Sequence, residues 1–293
     1  MLSAGGAIET CRAVASRQLK NAIAVIRPPG HHAEQNRPMG FCMFDNVAIA
    51  AKVCQIDYKQ TCRKILIVDW DVHHGNGIQQ AFYSDPNVLY ISLHVHEDGR
   101  FYPAGPYGDH LHCGTGAGEG KNINVPWPTK GMGDADYMFA FQHVVMPVAY
   151  DFDPDLVIIA AGFDAAAGDQ LGGCFVTPTC YAHMTHMLMS LAEGKLVVCL
   201  EVRLLCQYHG KLQETEVITG RLQSQIDLEV GTRSYPYFDG GTTRSNGGDG
   251  GHSVWCRYSS EGCDVPVEIL ALSLSQGQRK RFVSFACIGS LAN

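Results

Sequence analysis

Apolar residues recur in two rhythms along this chain. Short continuous runs of aliphatic and β-branched residues occur at Ala22 to Ile26, Ile65 to Val68, Val88 to Leu93, Leu156 to Ala161 and Leu196 to Leu200. Such runs read as strands buried on both faces. Between them the spacing turns helical. Ile8, Cys11, Val14 or Ala15, and Leu19 share one face of residues 3–19. An Ala- and Val-rich helix is expected from about Asp45 to Ile56, another from about Gly77 to Tyr83, and a third over 134–146 that stops near Pro147. Thr177-Pro178 is an N-cap followed by proline at the first helical position. The helix behind it should turn Tyr181, Met184, Leu188 and Leu191 inward and stop at Gly194. Residues 94–130 are rich in glycine and proline and are expected to be a long, mostly irregular loop. Its aromatics Phe101, Tyr102, Tyr107 and Trp127 favour an ordered, pocket-lining one. Strand–helix alternation predicts an α/β fold: a parallel sheet with helices on both faces.

Ligands of such sheets bind outside the carboxyl ends of the strands. Three strand ends here carry unusual chemistry. The first run stops at Arg27-Pro28-Pro29-Gly30-His31-His32, where the prolines forbid further ladder. The second runs into Asp69-Trp70-Asp71-Val72-His73-His74-Gly75-Asn76-Gly77. A third ends in Gly162-Phe163-Asp164. Unpaired buried carboxylates cost on the order of several kcal/mol each. A bound cation removes that penalty, and Asp and His are ligand types that zinc accepts. The convergence suggests a metal hydrolase.

Composition narrows the picture further. The net charge is −7, and the acidic excess lies in residues 1–201, as do most of the 13 histidines. A mildly acidic domain argues against direct DNA binding and tolerates a cationic peptide. The 12 cysteines include no Cys-x-x-Cys pair, and Cys54 and Cys199 sit inside apolar runs. That usage predicts a reducing compartment without disulfides. No run of about 18 apolar residues predicts a membrane span, and no secretory signal is visible at the start of the chain.

Arg27-Pro28-Pro29-Gly30-His31-His32-Ala33-Glu34, Gly40-Phe41, Asp69-Trp70-Asp71-Val72-His73-His74-Gly75, Ala161-Gly162-Phe163-Asp164-Ala165 and Leu200-Glu201 together resemble a class II (yeast-type) histone deacetylase of the zinc-dependent arginase/deacetylase superfamily. The resemblance covers about residues 3–201. It implies Zn2+ held by Asp71, His73 and Asp164, and His31 and His32 as the proton-handling pair, with Asp69 orienting His31. It places Asn76 as a neutral partner of His32. Gly40, Phe41 and Tyr102 match the channel that grips the acyl-lysine stem, and Leu171 its mouth. It further implies K+ near Asp69, Asp71, His73, Ser92 and Leu93. Acetylated histone tails or other acetyl-lysine proteins are the expected substrates, co-repressor subunits the expected partners, and the nucleus, with the cytoplasm, the expected location. His94, His96, His110 and His112 are spaced like ligands but read as loop polarity and packing. His183 and His186 read as a helix face, and Asp98 as surface.

The match breaks after Glu201. The family continues with Gly-Gly-Tyr, whose tyrosine bonds the oxyanion, whereas this chain reads Val202-Arg203-Leu204-Leu205. Tyr208 stands in unrelated context. Impaired catalysis is therefore expected. Residues 1–201 form a partial catalytic domain on this reading, and 202–293 a partly disordered tail with a Gly-rich stretch at 240–251. The tail is expected to be a mis-spliced or read-through product. The fold is expected to be incomplete at both ends, with an exposed sheet edge and marginal stability. Two other functions fit the sequence: deacetylation of acetylpolyamines or other small amides, and a non-catalytic acyl-lysine-binding scaffold.

Overall fold

The computed structural model describes residues 1–201 in full and, beyond them, the backbone of three strands at 253–258, 267–276 and 280–289. In chain order the elements are α1 (Leu2–Ala15), β1 (Asn21–Val25), α2 (Asn46–Asp57), β2 (Ile65–Asp69), α3 (Asn76–Phe82), β3 (Val88–Val95), β4 (Asn122–Trp127), α4 (Asp134–Ala140), α5 (Met146–Phe152), β5 (Leu156–Ala161), α6 (Pro178–Leu188) and β6 (Leu196–Leu200). The tail adds β7 (Ser253–Tyr258), β8 (Val267–Gln276) and β9 (Lys280–Gly289).

Six strands lie parallel in the order β4-β3-β2-β5-β6-β1. The sheet continues past β1 through β9, which is parallel to it, and then through β8 and β7, which run antiparallel. The central strands are buried along their whole length because both faces are covered. Alternation divides their side chains between two layers. Leu66, Val68, Leu89, Ile91, Val157 and Ile159 pack with Tyr137, Phe141, Met184 and Leu188 from the helices of one face. Ile65, Ile67, Val88, Tyr90, Leu156 and Ile158 pack with Cys11, Val14, Val47, Ala51 and Ile78 on the other. Truncating any of the fully buried aliphatics to alanine should cost about 2–5 kcal/mol. No described helix is long and apolar enough to cross a membrane.

Within residues 1–201 the expected elements are present, with four differences; beyond them β9 pairs along β1, where an exposed sheet edge was expected. Residues 122–127 form a strand inside the expected loop. Proline content argued against regular structure there, but Pro126 lies in an edge strand, where a missing N–H breaks no interior ladder. The helix at 134 does not stop near Pro147. It passes through a widened π-helical turn at Phe141–Val145 and continues as α5 with Pro147 in its first turn, where no N–H is needed. Helix α6 ends at Leu188, and a separate short 3₁₀ turn, Ala192–Gly194, leads into β6. Helix α1 ends at Ala15, although Leu19 is buried as expected. Residues 202–205, Tyr208 and the Gly-rich stretch at 240–251 lie outside the described residues.

Helix α2 begins at Asp45, whose Oδ1 accepts the Ala48 N–H at 2.8 Å. Its Oδ2 is buried without a hydrogen-bond partner, and burial raises the carboxyl pKa well above its ordinary value. The folded state thus prefers the protonated acid, so this group's penalty grows as pH rises. Asp45→Asn, which keeps the cap and removes the charge, should melt at or above wild type at pH 7, with its advantage shrinking toward about pH 4. Asp45→Ala should lose about 0.5–2 kcal/mol. Thermal melts across pH decide this. An Asn variant less stable than the Ala variant at pH 7 would contradict it.

Candidate metal and proton-transfer site

Four strands in the middle of the sheet, β2-β5-β6-β1, deliver the polar groups to one rim. Asp69 closes β2, with Asp71 and His73 in the loop behind it. Asp164 follows β5, and His31 and His32 follow β1. The structure therefore brings together the three residues expected to hold a metal and the histidine pair expected to move protons.

His73 Nδ1 lies 3.0 Å from Asp71 Oδ1 and 2.9 Å from Asp164 Oδ2. One ligand atom from each of the three falls within 4.8 Å of the others, and among the described residues this is the one such group of His, Cys, Asp or Glu. Both carboxylates also hold the loop that follows β2. Asp164 Oδ1 accepts the Val72 N–H at 2.8 Å, and Asp71 Oδ1 accepts that of His73 at 2.9 Å. Gly162 is required here, because any Cβ would collide with the Asp71 carboxylate. The fit to a cation rests on what remains unbonded. Asp71 Oδ2 and His31 Nε2 are buried without a hydrogen-bond partner, and Asp164 Oδ2 is buried with His73 Nδ1 2.9 Å away. Oxygen and imidazole donors converging in this way suit a divalent metal.

The electrostatics agree. Burial disfavours a charged His73, but the Asp164 and Asp71 carboxylates outweigh it and raise its pKa to about 10. Burial, and then Asp164, pushes Asp71 up to about 6. Asp164 is also buried, yet His73 and the Val72 N–H hold it below the ordinary value. This pocket demands positive charge.

The two histidines differ in their partners. His31 Nδ1 is 3.1 Å from Asp69 Oδ2, and its Nε2 is 3.7 Å from Asp71 Oδ2. Burial opposes its charge, but Asp71 and Asp69 prevail and its pKa is raised well above normal. His32 Nδ1 is 2.9 Å from Asn76 Oδ1. The Asn76 amide nitrogen donates to Glu34 Oε1 at 2.8 Å, so Oδ1 must be the acceptor and His32 Nδ1 carries the hydrogen. Burial, then the neighbouring His31, lowers the pKa of His32, leaving a neutral ring with a free Nε2.

Around this centre stand the expected channel residues. The Tyr102 ring is 5.0 Å from that of His32, edge-on. Phe41 is 90% and Leu171 73% exposed, as suits a mouth facing solvent. Gly40 has φ of +55°, and a Cβ there would strike the His32 ring, so only glycine fits. Ser92 pairs in register with Asp69. His94 donates through Nε2 to the Gly108 carbonyl, so its Nδ1 accepts from Ser92 Oγ at 2.8 Å. Both nitrogens of His94 are engaged, His74 bonds Gln79 Oε1 at 2.8 Å, and His110 meets its neighbour Asp109 at 2.8 Å. None of these three belongs to the Asp71, His73 and Asp164 group.

Tyr90, Phe101, Lys130, Gln79 and Glu201 complete the site. Tyr90 donates its hydroxyl to Asp69 Oδ2 at 2.9 Å. A tyrosine inside an otherwise aliphatic buried strand needs such a partner, and that was the available signal. Phe101 stacks on His73 at 5.1 Å, and Lys130 Nζ lies 5.0 Å from the Phe101 ring centre. Gln79 Oε1 accepts from Asn122 and Asn124 of β4 while its Nε2 donates to the Tyr107 carbonyl at 2.8 Å, which ties the long loop to the sheet. Glu201 holds the backbone of the His31 loop.

A family profile described as the histone deacetylase domain matches residues 1–201. Histone deacetylase clr3 of Schizosaccharomyces pombe is 60% identical over 200 residues, which are 68% of this chain and 29% of that protein. Histone deacetylase HDA1 of Saccharomyces cerevisiae is 57% identical over 200 residues, 68% of this chain and 28% of that protein. A polyamine deacetylase of Danio rerio, HDAC10, is 50% identical over the same length, 68% of this chain and 29% of that protein. The chain thus spans less than a third of the length of these relatives. The crystal structure of the HDA15 HD domain superposes with a TM-score of 0.70 at 47% identity, over 77% of this chain and 62% of that one.

Loading a divalent metal must displace the proton that the carboxylates hold on His73. Since that pKa is about 10, binding near neutral pH should release about one proton, and apparent affinity should rise about tenfold per pH unit between roughly pH 7 and 9. Calorimetry in buffers of different ionisation heat measures both. Affinity that is flat over that range would contradict the assignment.

Proposed function

The chain belongs to the histone deacetylase domain family, and from that premise we propose that it hydrolyses the acetyl amide of acetyl-lysine in histones or other proteins. The convergence of Asp71, His73 and Asp164 beside His31-His32, inside the matched 1–201 segment, carries this reading.

Zn2+ held by Asp71, His73 and Asp164 would supply Lewis-acid polarisation of the amide carbonyl and of the attacking water. His32 is the general base: its ring is neutral, its Nδ1–H is fixed on Asn76 Oδ1, and its Nε2 is free to take the water's proton and pass it to the leaving lysine amine. His31 keeps its proton through Asp69, itself steadied by Tyr90, and presents positive charge beside the developing oxyanion. Tyr102 and Phe41 bury the methylene stem of the acyl-lysine. Ser92 directs its hydrogen at His94, which leaves its oxygen lone pairs for K+ together with Asp69, Asp71, His73 and Leu93. Residues 1–201 act as the catalytic part and 202–293 lie outside it. Co-repressor subunits and a nuclear location, with a cytoplasmic pool, follow from the same assignment.

The family tyrosine is missing after Glu201, and losing one oxyanion donor lowers the rate about 10²–10³-fold. Slow turnover is thus expected. A second reading, deacetylation of small acetylpolyamines, draws on the relative named a polyamine deacetylase.

An assay on an acetyl-lysine peptide and on acetylspermidine tests both readings. Peptide turnover should exceed acetylspermidine turnover, and both chelator and Asp71→Ala should abolish it. Tyr90→Phe should lower it by about 10–100-fold. Activity surviving both treatments removes the metal mechanism. Zinc and peptide bound without hydrolysis at high enzyme concentration would replace it with a non-catalytic acyl-lysine-binding scaffold.

A further inference from the structure

Glu201 follows β6 directly and is 3% exposed. Its own N–H bonds the Ala161 carbonyl at 2.9 Å, which fixes it beside the end of β5. Its Oε2 accepts two successive backbone N–H groups from the far end of the sequence, Gly30 at 2.6 Å and His31 at 3.0 Å. The other anchors of that loop hold carbonyls. Pro28 O receives Ser3 Oγ at 2.9 Å and Asn46 Nδ2 at 3.0 Å, and His31 O receives the Gly77 N–H at 2.9 Å. At Gly30 a Cβ would collide with the Asn46 amide, so the bare backbone is what approaches.

We infer that Glu201 is a positioning residue for the His31-His32 pair: one carboxylate oxygen clamps the backbone of His31 while Asp69 sets its ring. This rests on the reading of that pair as the proton-transfer groups. Glu201 touches neither Asp71, His73 nor Asp164 in any described bond, so its loss should misplace the pair without emptying the metal site. Its reach is specific. Glutamine keeps an acceptor oxygen at the same distance, aspartate falls one methylene short, and alanine offers nothing.

The test compares Glu201→Ala, Glu201→Gln and Glu201→Asp in the full chain. Amide hydrogen exchange at Gly30 and His31, zinc content, acetyl-lysine peptide affinity and turnover are measured for each. In the Ala and Asp variants, protection of those two amides should fall about tenfold or more. Zinc content and peptide affinity should stay within about twofold, and kcat should drop about 10–100-fold with KM little changed. Glutamine should restore most of the protection and most of kcat. If Ala does not fold, the Gln and Asp pair gives the same contrast. Unchanged exchange at Gly30 and His31 in the Ala or Asp variant overturns the inference, and so does equal impairment by Gln and Asp. A wild-type chain that turns over no acetyl amide sinks the deacetylase reading alone, because the exchange comparison still decides whether Glu201 holds the loop.

Discussion

Two carboxylates taken out of water at the end of neighbouring strands, with one imidazole between them, constrain everything else in this fold. Asp71 and Asp164 have almost no exposed surface, and the charge they present must be met inside the protein. Both also accept backbone N–H groups of the loop after β2, Asp164 from Val72 and Asp71 from His73, so the electrostatic requirement and the loop geometry are one problem. The sheet serves that problem: β2 and β5 are adjacent and parallel, so their carboxyl ends stop at the same level.

The same arrangement separates two histidines that are neighbours in sequence. A carboxylate faces His31 and a neutral amide faces His32. One ring is driven toward the charged form and the other away from it, although their centroids are 4.0 Å apart. Like charges so close would repel, so the asymmetry of partners decides which ring carries the proton and which is free to take one.

Much of this was legible in the residues. The uninterrupted runs at Ile65, Val88, Leu156 and Leu196 are central strands, and the polar residues at their ends do meet. Features that depend on position in the sheet were not legible. Pro126 is tolerated because β4 lies at an edge, and Pro147 because a widened turn precedes it; neither fact is local to the sequence. The supporting shell was partly hidden as well. Tyr90 looked like one more buried strand residue, and Glu201 like the last letter of a motif, until the chain brought residues separated by 21 and by 171 positions into contact.

X-ray absorption at the zinc edge of the metal-loaded chain tests the central claim most directly. One zinc is expected in a shell of oxygen and imidazole nitrogen at about 2.0–2.1 Å, lost when Asp164 is replaced by alanine. A sulfur shell at about 2.3 Å, drawn from the cysteines, or an oxygen–nitrogen shell that survives the loss of Asp164, would contradict it.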